Sequence, residues 1–401
     1  MHTLKENNPV YRYWVLVAMV MIAGFSQGML LPLLAIMLEQ IGISSSLNGL
    51  NAAGLYIGIL LVSPFIEKPV RHFGYKPVIV TGLILVATSL LLFPFWQVFW
   101  FWFMLRVIVG IGDNLIHYAT QVWITSTSPK AKRGRNLSIY GLAFGIGFGI
   151  GPLMTRLLAI NEYLPFIIAS VTSLLSWGFI MLLRNEWPDN QIETGSRLNT
   201  FGRYKKVLSL AWFALLPGFC YGFLEASLHG SFPVYALRSG ITIEWVSILL
   251  PSFVVGSLVT QLPLGILSDK IGRKNVLLSV LFLGSISFAA MAFLESSMLG
   301  LLLCFIIAGM FLGSLFSLGI AYLADLIPSS LIPTGNVMVS ICFALGSIVG
   351  PVVGGIFIDL FETGSIYYSI SGMLLFVLIA GLVFKQRQED SEVNVMKQNA
   401  V

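Results

Sequence analysis

The sequence predicts an all-α membrane protein of twelve transmembrane helices in two pseudo-symmetric six-helix bundles, and three observations carry that prediction. Of 401 residues, 57% are hydrophobic and only 10% charged, with a mean hydropathy of +0.88. A water-soluble core has no use for so much apolar surface. Apolar runs of about 20 residues, the length that crosses a bilayer, recur along the whole chain. Short motifs of the first half also return in the second at offsets of 194 to 199 residues. Gly24-Phe25-Ser26-Gln27-Gly28-Met29-Leu30 reappears as Gly218-Phe219-Cys220-Tyr221-Gly222-Phe223-Leu224, Gly74 as Gly272, and Gly151-Pro152 as Gly350-Pro351.

Taken in order, the first half holds spans at 13–38, 48–67, 77–95, 98–124, 137–159 and 163–184. The second holds 207–236, 244–267, 275–294, 298–325, 332–358 and 364–384. Residues 1–184 thus form an N-terminal bundle and 207–385 a C-terminal one. Between them, 185–206 is the one extended polar stretch, with Pro188, Gly195 and Gly202, and reads as a cytoplasmic linker. The tail, 386–401, is polar and expected to be disordered and cytoplasmic. The first apolar run is too long for a cleavable leader.

Lysine and arginine orient the chain. Alternate loops carry Lys68, Arg71 and Lys76; Lys130, Lys132, Arg133 and Arg135; Arg197, Arg203, Lys205 and Lys206; then Lys270, Arg273 and Lys274. The opposite loops carry Glu39, Glu162, Glu244, Glu295 and Glu362, with Arg238 the main basic exception. By the positive-inside rule both termini are cytoplasmic, in a multi-pass protein of the cell membrane. The net charge of +5 sits at helix ends and does not point to nucleic acid. Cys220, Cys304 and Cys342 lie inside apolar runs as small packing residues. No metal-ligand spacing joins His2, His72, His117 and His229, no nucleophile constellation suggests an enzyme, and no nucleotide loop or other cofactor motif is present.

The sharpest motif lies between the eighth and ninth spans. Gly265, Asp269, Lys270, Gly272, Arg273 and Lys274 spell G-x-x-x-D-K-x-G-R-K, a helix end followed by a tight basic turn. It resembles the signature loop of major facilitator superfamily transporters, at all of the defining positions. That resemblance covers almost the whole chain. It implies a secondary transporter working by alternating access, with the Asp269 loop, its glycines and Asp325 at the end of the tenth span forming a cytoplasmic gate. The first-half copy departs from the pattern: aligned on Gly74, Glu67, Arg71 and Tyr75 replace glycine, acid and base, and Ser126 stands where the second half has Asp325. Their joint absence suggests one charge network replaced as a unit, because a leftover charge at the membrane edge is costly.

Arg106, Gly110 and Gly112 resemble the family's fourth-span pattern. Arg106, Gly110, Asp113 and His117 also follow i, i+4, i+7, i+11 and so share one helical face. A cation, an acid and an imidazole in one span need a wet cavity or one another; both readings stay open. Glu225 lies mid-span in the seventh helix with His229 one turn on. In position it resembles a glutamate that titrates in some drug/proton antiporters, and a carboxylate among apolar neighbours can load and release a proton. The alternative is a structural hydrogen bond to His229 or Tyr221. Gln27, the repeat-equivalent of Tyr221, is a further cavity candidate. Gly147, Gly151 and Pro152 partly match the family's antiporter pattern, whose final glycines are replaced by Met154 and Thr155; the complete pattern stands on the eleventh span at Gly346, Gly350, Pro351, Gly354 and Gly355. Small residues four apart permit close helix approach, and proline loosens the backbone.

These features together read as a monomeric transporter exchanging a small molecule for a coupling ion, H+, and exporting amphipathic or drug-like compounds. Two other readings stand beside it. One is a proton-coupled importer of a nutrient or metabolite, with Gln27, Asn48, Asn51, Asn114 and Tyr118 as hydrogen-bonding groups. The other is a non-transporting membrane sensor or scaffold.

Overall fold

The structure, a computed structural model, describes residues 8–129, 132–188, 200–361 and 364–385. Lys130, Arg197, Glu362, the middle of the expected linker (189–199) and the 386–401 tail therefore lie outside the described residues. Twelve helices are long and apolar enough to span a membrane. In the first half they are α1 (Pro9–Gln40), α2 (Ser45–Val62), α3 (Tyr75–Phe95), α4 (Phe99–Thr127), α5 (Arg135–Ala159) and α6 (Leu164–Met181). In the second they are α7 (Phe201–Gly230), α8 (Ile243–Ile271), α9 (Arg273–Phe293), α10 (Met298–Leu326), α11 (Ile332–Leu360) and α12 (Ser365–Val383). Among the described residues there is no strand. Helices suit this setting because every backbone polar group is satisfied within its own segment.

Buried apolar side chains gather into one cluster per half. Trp102, Trp123, Tyr56 and Phe166 anchor the first, and Phe213, Phe232, Phe305 and Tyr367 the second. The repeated glycines explain how each half is knit. A Cβ on Gly147 would stand 1.9 Å from the Met21 carbonyl oxygen, and one on Gly28 2.1 Å from that of Phe148, so α1 and α5 touch backbone to backbone. In the second half Gly346 meets Phe219 at 2.0 Å and Gly222 meets Phe343 at 2.1 Å, which brings α7 and α11 together in the same way. The chain ends repeat too. Lys76 Nζ donates to the Met181 and Leu183 carbonyls after α6, and its repeat-equivalent Lys274 donates to the Phe384 carbonyl after α12. A cation is favoured at a helix C-terminus.

Several boundaries differ from the sequence reading. Helix runs from Thr200, with a break at Ala211 (φ −141°, ψ 29°), so Arg203, Lys205 and Lys206 at the end of the expected linker are helical. Charged side chains reach the polar edge while their backbone stays hydrogen-bonded, and an apolar run does not register that turn. The same span was expected to run to 236. It stops at Gly230, and a short helix, Phe232–Arg238, follows with Pro233 in its first turn, where the missing N–H costs nothing. The front of the expected linker is docked: Asn185 accepts from the Lys76 amide and donates to the Phe73 carbonyl. Helix α5 is α-helical to Ile150 and tightens into 3-10 geometry from Gly151 to Ala159, beginning at Pro152.

Candidate functional site

A cavity of about 540 Å³ lies between the two halves. From the first half, Gln27 of α1, Tyr56 of α2, and Asp113, Asn114, His117 and Gln121 of α4 reach it. From the second come Tyr221, Glu225 and His229 of α7 and Ser257 and Gln261 of α8. The remaining wall is aromatic and apolar: Phe144 and Phe148 of α5, Phe253 of α8, Phe316 of α10 and Phe343 of α11. Among the described residues no lysine or arginine lines it.

The structure separates the expected α4 stripe. Asp113 and His117 line the cavity, whereas Arg106 is fully buried beyond its end and donates from Nη2 to the Leu30 and Leu31 carbonyls at 3.2 Å. Gly110 faces α2, where a Cβ would meet the Leu55 carbonyl oxygen at 1.9 Å. The face shared by these four residues runs past the cavity into the tight contact of α1, α2 and α4. Arg106 and Asp113 do not form an ion pair, and both Asp113 oxygens lack a hydrogen-bond partner among the described residues. An unpaired buried carboxylate is expensive and marks a site that receives something.

Glu225 makes no side-chain hydrogen bond to His229. The His229 ring nitrogen Nδ1 lies 3.0 Å from the Glu225 backbone carbonyl instead, and Nε2 has no partner. On the opposite wall His117 Nδ1 shares a hydrogen bond with the Tyr140 hydroxyl at 3.1 Å, and that hydroxyl meets Thr120 Oγ1 at 3.0 Å. Of the other polar candidates, Asn48 donates to the Ala35 carbonyl away from the cavity, and Asn51 is buried with neither amide atom partnered.

One end of the seam between halves is closed. Asp359 at the end of α11 accepts from the Ser45 and Ser46 amides at 3.2 and 2.9 Å and from Ser46 Oγ at 2.5 Å, sealing the N-terminus of α2. Arg238 bridges Asp359 at 3.2 Å and holds Glu39 through two nitrogens at 2.7 and 3.2 Å. Its guanidinium, already basic, is pushed higher, first by the Glu39 hydrogen bond. At the repeat-equivalent contact, Arg156 at the end of α5 donates to Ser247 Oγ at 2.6 Å and to the Glu244 carbonyl at 3.4 Å at the start of α8. Gly49 and Gly355 set the backbone spacing here, against the Pro351 and Ser45 carbonyls.

At the other, basic end the second-half loop forms the charge network its sequence implies. Arg273 donates to Asp325 at 2.9 Å and to Asp269 at 3.2 Å, with the Asp269 side chain 66% exposed. Gly272 makes the turn at φ 95°, a region that favours glycine. Gly265, expected to permit close packing, has nothing within 4 Å of a Cβ built on it. In the first-half copy Tyr75 and Ser126, the equivalents of Arg273 and Asp325, share a hydrogen bond at 3.1 Å in place of that ion pair, while Arg71 pairs with Glu67 at 2.7 Å. Tyr75 stacks on Trp123 with centroids 5.3 Å apart, and Trp123 Nε1 donates at 2.8 Å to Glu186, which also pairs with Arg12.

Sequence reasoning missed Phe144, Phe148 and Tyr140, although aromatic residues at spacing of four within the glycine-rich fifth span carried the signal. It also missed the Glu39–Arg238–Asp359 group, whose only mark was Arg238 as the basic residue on an acidic side.

Comparison with known proteins agrees with this architecture. The sequence model of the Major Facilitator Superfamily matches residues 16–252 and 218–399. The MFS-type transporter YfkF of Bacillus subtilis strain 168, itself uncharacterised, is 48% identical over 378 residues, 94% of this chain and 96% of that protein. Multidrug resistance protein 2 of the same organism is 24% identical over 94% of this chain and 96% of its own length. Among solved structures, the nucleoside transporter NupG superposes with a TM-score of 0.76 at 15% identity, covering 93% of this chain and 100% of NupG. A bacterial homologue of the human lysosomal transporter Spinster, inward-facing and unoccupied, gives 0.71 at 16%, covering 94% and 96%. A repeated six-helix fold with a cavity on its seam and no enzymatic constellation is thus matched along its length by a transporter family, and the chain belongs to the major facilitator superfamily.

Proposed function

We propose that this transporter exports amphipathic or drug-like small molecules in exchange for protons, the halves 1–184 and 207–385 rocking as two bodies about the cavity. The observation that carries the reading is the pairing of cavity acids with an aromatic wall: Asp113, whose two oxygens are buried without a partner among the described residues, and the half-buried Glu225 face a space lined by Phe144, Phe148, Phe253, Phe316 and Phe343. Aromatic walls take apolar cargo. An acid without a fixed partner can exchange a proton for a ligand. Glu225 is the coupling acid in this scheme and Asp113 has the positioning role. Gln27, His117 and His229 complete the polar contacts, and Arg106 supports α4 from behind.

The basic loops support cytoplasmic termini; with that orientation the closed Asp359 seam faces outward, as an inward-facing state requires. The Asp269–Arg273–Asp325 network then acts as a cytoplasmic latch that docks on the first residues of α5 when the protein turns outward, with Gly272 as its pivot. Helix pairs joined at Gly147, Gly151 and Pro152, and at Gly346, Gly350 and Pro351, are the rigid arms of each half. A nutrient importer is the second reading, favoured by the amide side chains of Gln27, Asn114, Gln121 and Gln261 on the wall. Inverted membrane vesicles separate the two. An exporter accumulates a permanently charged fluorescent quaternary ammonium compound inside them when the lumen is acid, and an importer accumulates none.

A further inference from the structure

The cavity acids each sit one helical turn from a histidine, and the two pairs come from different halves. Asp113 and His117 are i, i+4 on α4, and Glu225 and His229 are i, i+4 on α7, a spacing that places both members on one face. Each histidine has Nδ1 engaged by the protein, by Tyr140 on one side and the Glu225 carbonyl on the other. The ring orientations are therefore fixed. Between the pairs lies a run of rings supplied by α5. His117 meets Phe144 at a centroid distance of 4.9 Å, Phe144 meets Phe148 at 5.7 Å, and Phe148 meets His229 at 4.6 Å. Phe144 and Phe148 form a continuous apolar strip with an acid station at each end.

We infer that the cavity is built for a ligand with two cationic ends joined by an apolar spacer, one end at Asp113–His117 and the other at Glu225–His229, with the spacer along Phe144 and Phe148. Three observations support this over a single-charge ligand. Both Asp113 oxygens are buried and unpartnered, so that station is complete without Glu225. The rings keep the stations apart, and among the described residues no three metal-type ligands converge, so the acids do not share one small cation. Among the described residues no lysine or arginine lines the cavity to neutralise either acid from within. Ammonium groups also gain from the flanking ring faces. The inference deepens the transport reading and rests on it for the site's role.

The experiment measures binding of a graded series of α,ω-diaminoalkanes, diaminobutane through diaminododecane, to the purified protein in detergent. The matching monoamines are measured alongside by calorimetry. Two tethered ends give an effective concentration that vanishes when the spacer is too short, peaks when it fits, and falls beyond. The best diamine should therefore bind about a hundredfold more tightly than its monoamine, with a defined optimum of length. Asp113→Asn and Glu225→Gln should each reduce the best diamine to monoamine affinity while monoamine binding survives at the remaining station. Affinity that rises smoothly with carbon number for both series overturns the inference. So does loss of all amine binding in either monodisperse variant, because that marks one shared charge site. The length series on the unmodified protein decides the matter even where a variant does not fold. Diamine binding without diamine flux in proteoliposomes would refute the transport role and leave the two-station site standing. Flux of other amines without a length optimum would do the reverse.

Discussion

Replacing Asp359 with asparagine should open the outer seam. The wild-type carboxylate takes two amides and a hydroxyl at the N-terminus of α2 and the Arg238 guanidinium. Asparagine keeps one acceptor oxygen but turns an NH2 group towards donors, and it removes the charge from the positive end of a helix. Hydrogen bonds to a charged group contribute about 1.5–3 kcal/mol net. The Asp359 side chain is 28% exposed, and solvent lowers the value towards the bottom of that range. A loss of about 2 kcal/mol moves an equilibrium by a factor of about 30. The loss falls on one conformation, because Asp359 and Ser45 belong to different halves and part when the seam opens. Spin labels at Ile41 and Ser239, both exposed at this end, report the separation by pulsed electron resonance. The long-distance population should grow by about that factor relative to the short one. An unchanged distance distribution in a folded Asp359→Asn protein would refute the reasoning.

Other outcomes follow from the same geometry. Glu225→Gln should abolish uphill, pH-driven transport while leaving substrate counterflow, and full uphill activity would move the coupling role to Asp113. Asp269→Asn should increase thiol labelling of cavity positions such as Gln121 and Gln261 from the cytoplasmic side, through a weakened latch; unchanged labelling contradicts the latch. Gly147→Ala forces a Cβ to within 1.9 Å of the Met21 carbonyl oxygen and should cost about 1–3 kcal/mol in unfolding assays. Gly145→Ala, with nothing within 4 Å, should be tolerated, and equal destabilisation by both would refute the packing argument. The Arg238–Glu39 pair should hold the seam unchanged from neutral to mildly alkaline pH. A guanidinium pushed upward stays charged below its raised value, and its contribution is lost only above that.

What the sequence disclosed depended on the range of the physics involved. Span length and the glycine repeats are local or periodic, so the twelve helices and the close packing at Gly147 and Gly346 were legible, whereas the helices those glycines meet, α1 and α7, were not. The loss of the Arg273 and Asp325 charges from the first-half loop was legible at Tyr75 and Ser126. Its substitute was not: Tyr75 meets Ser126 across 51 positions, and Glu186 reaches Arg12 across 174. The stripe through Arg106 was right in its spacing but could not show where the cavity ends, because that depends on α1 and α2. Asp359 carried no local motif. Its partners, Ser45 and Ser46, lie in the other half, and only the docking of the halves reveals the contact.

The central claim is proton-coupled export through the Asp113–Glu225 cavity. Its most direct test is proton movement in proteoliposomes of purified protein carrying a trapped pH indicator, with substrate supplied on one side and no imposed pH gradient. Proton flow should run opposite in direction to substrate, saturate with substrate concentration and be absent in Glu225→Gln. Substrate flux without proton movement, or proton movement in the same direction as substrate, would contradict it.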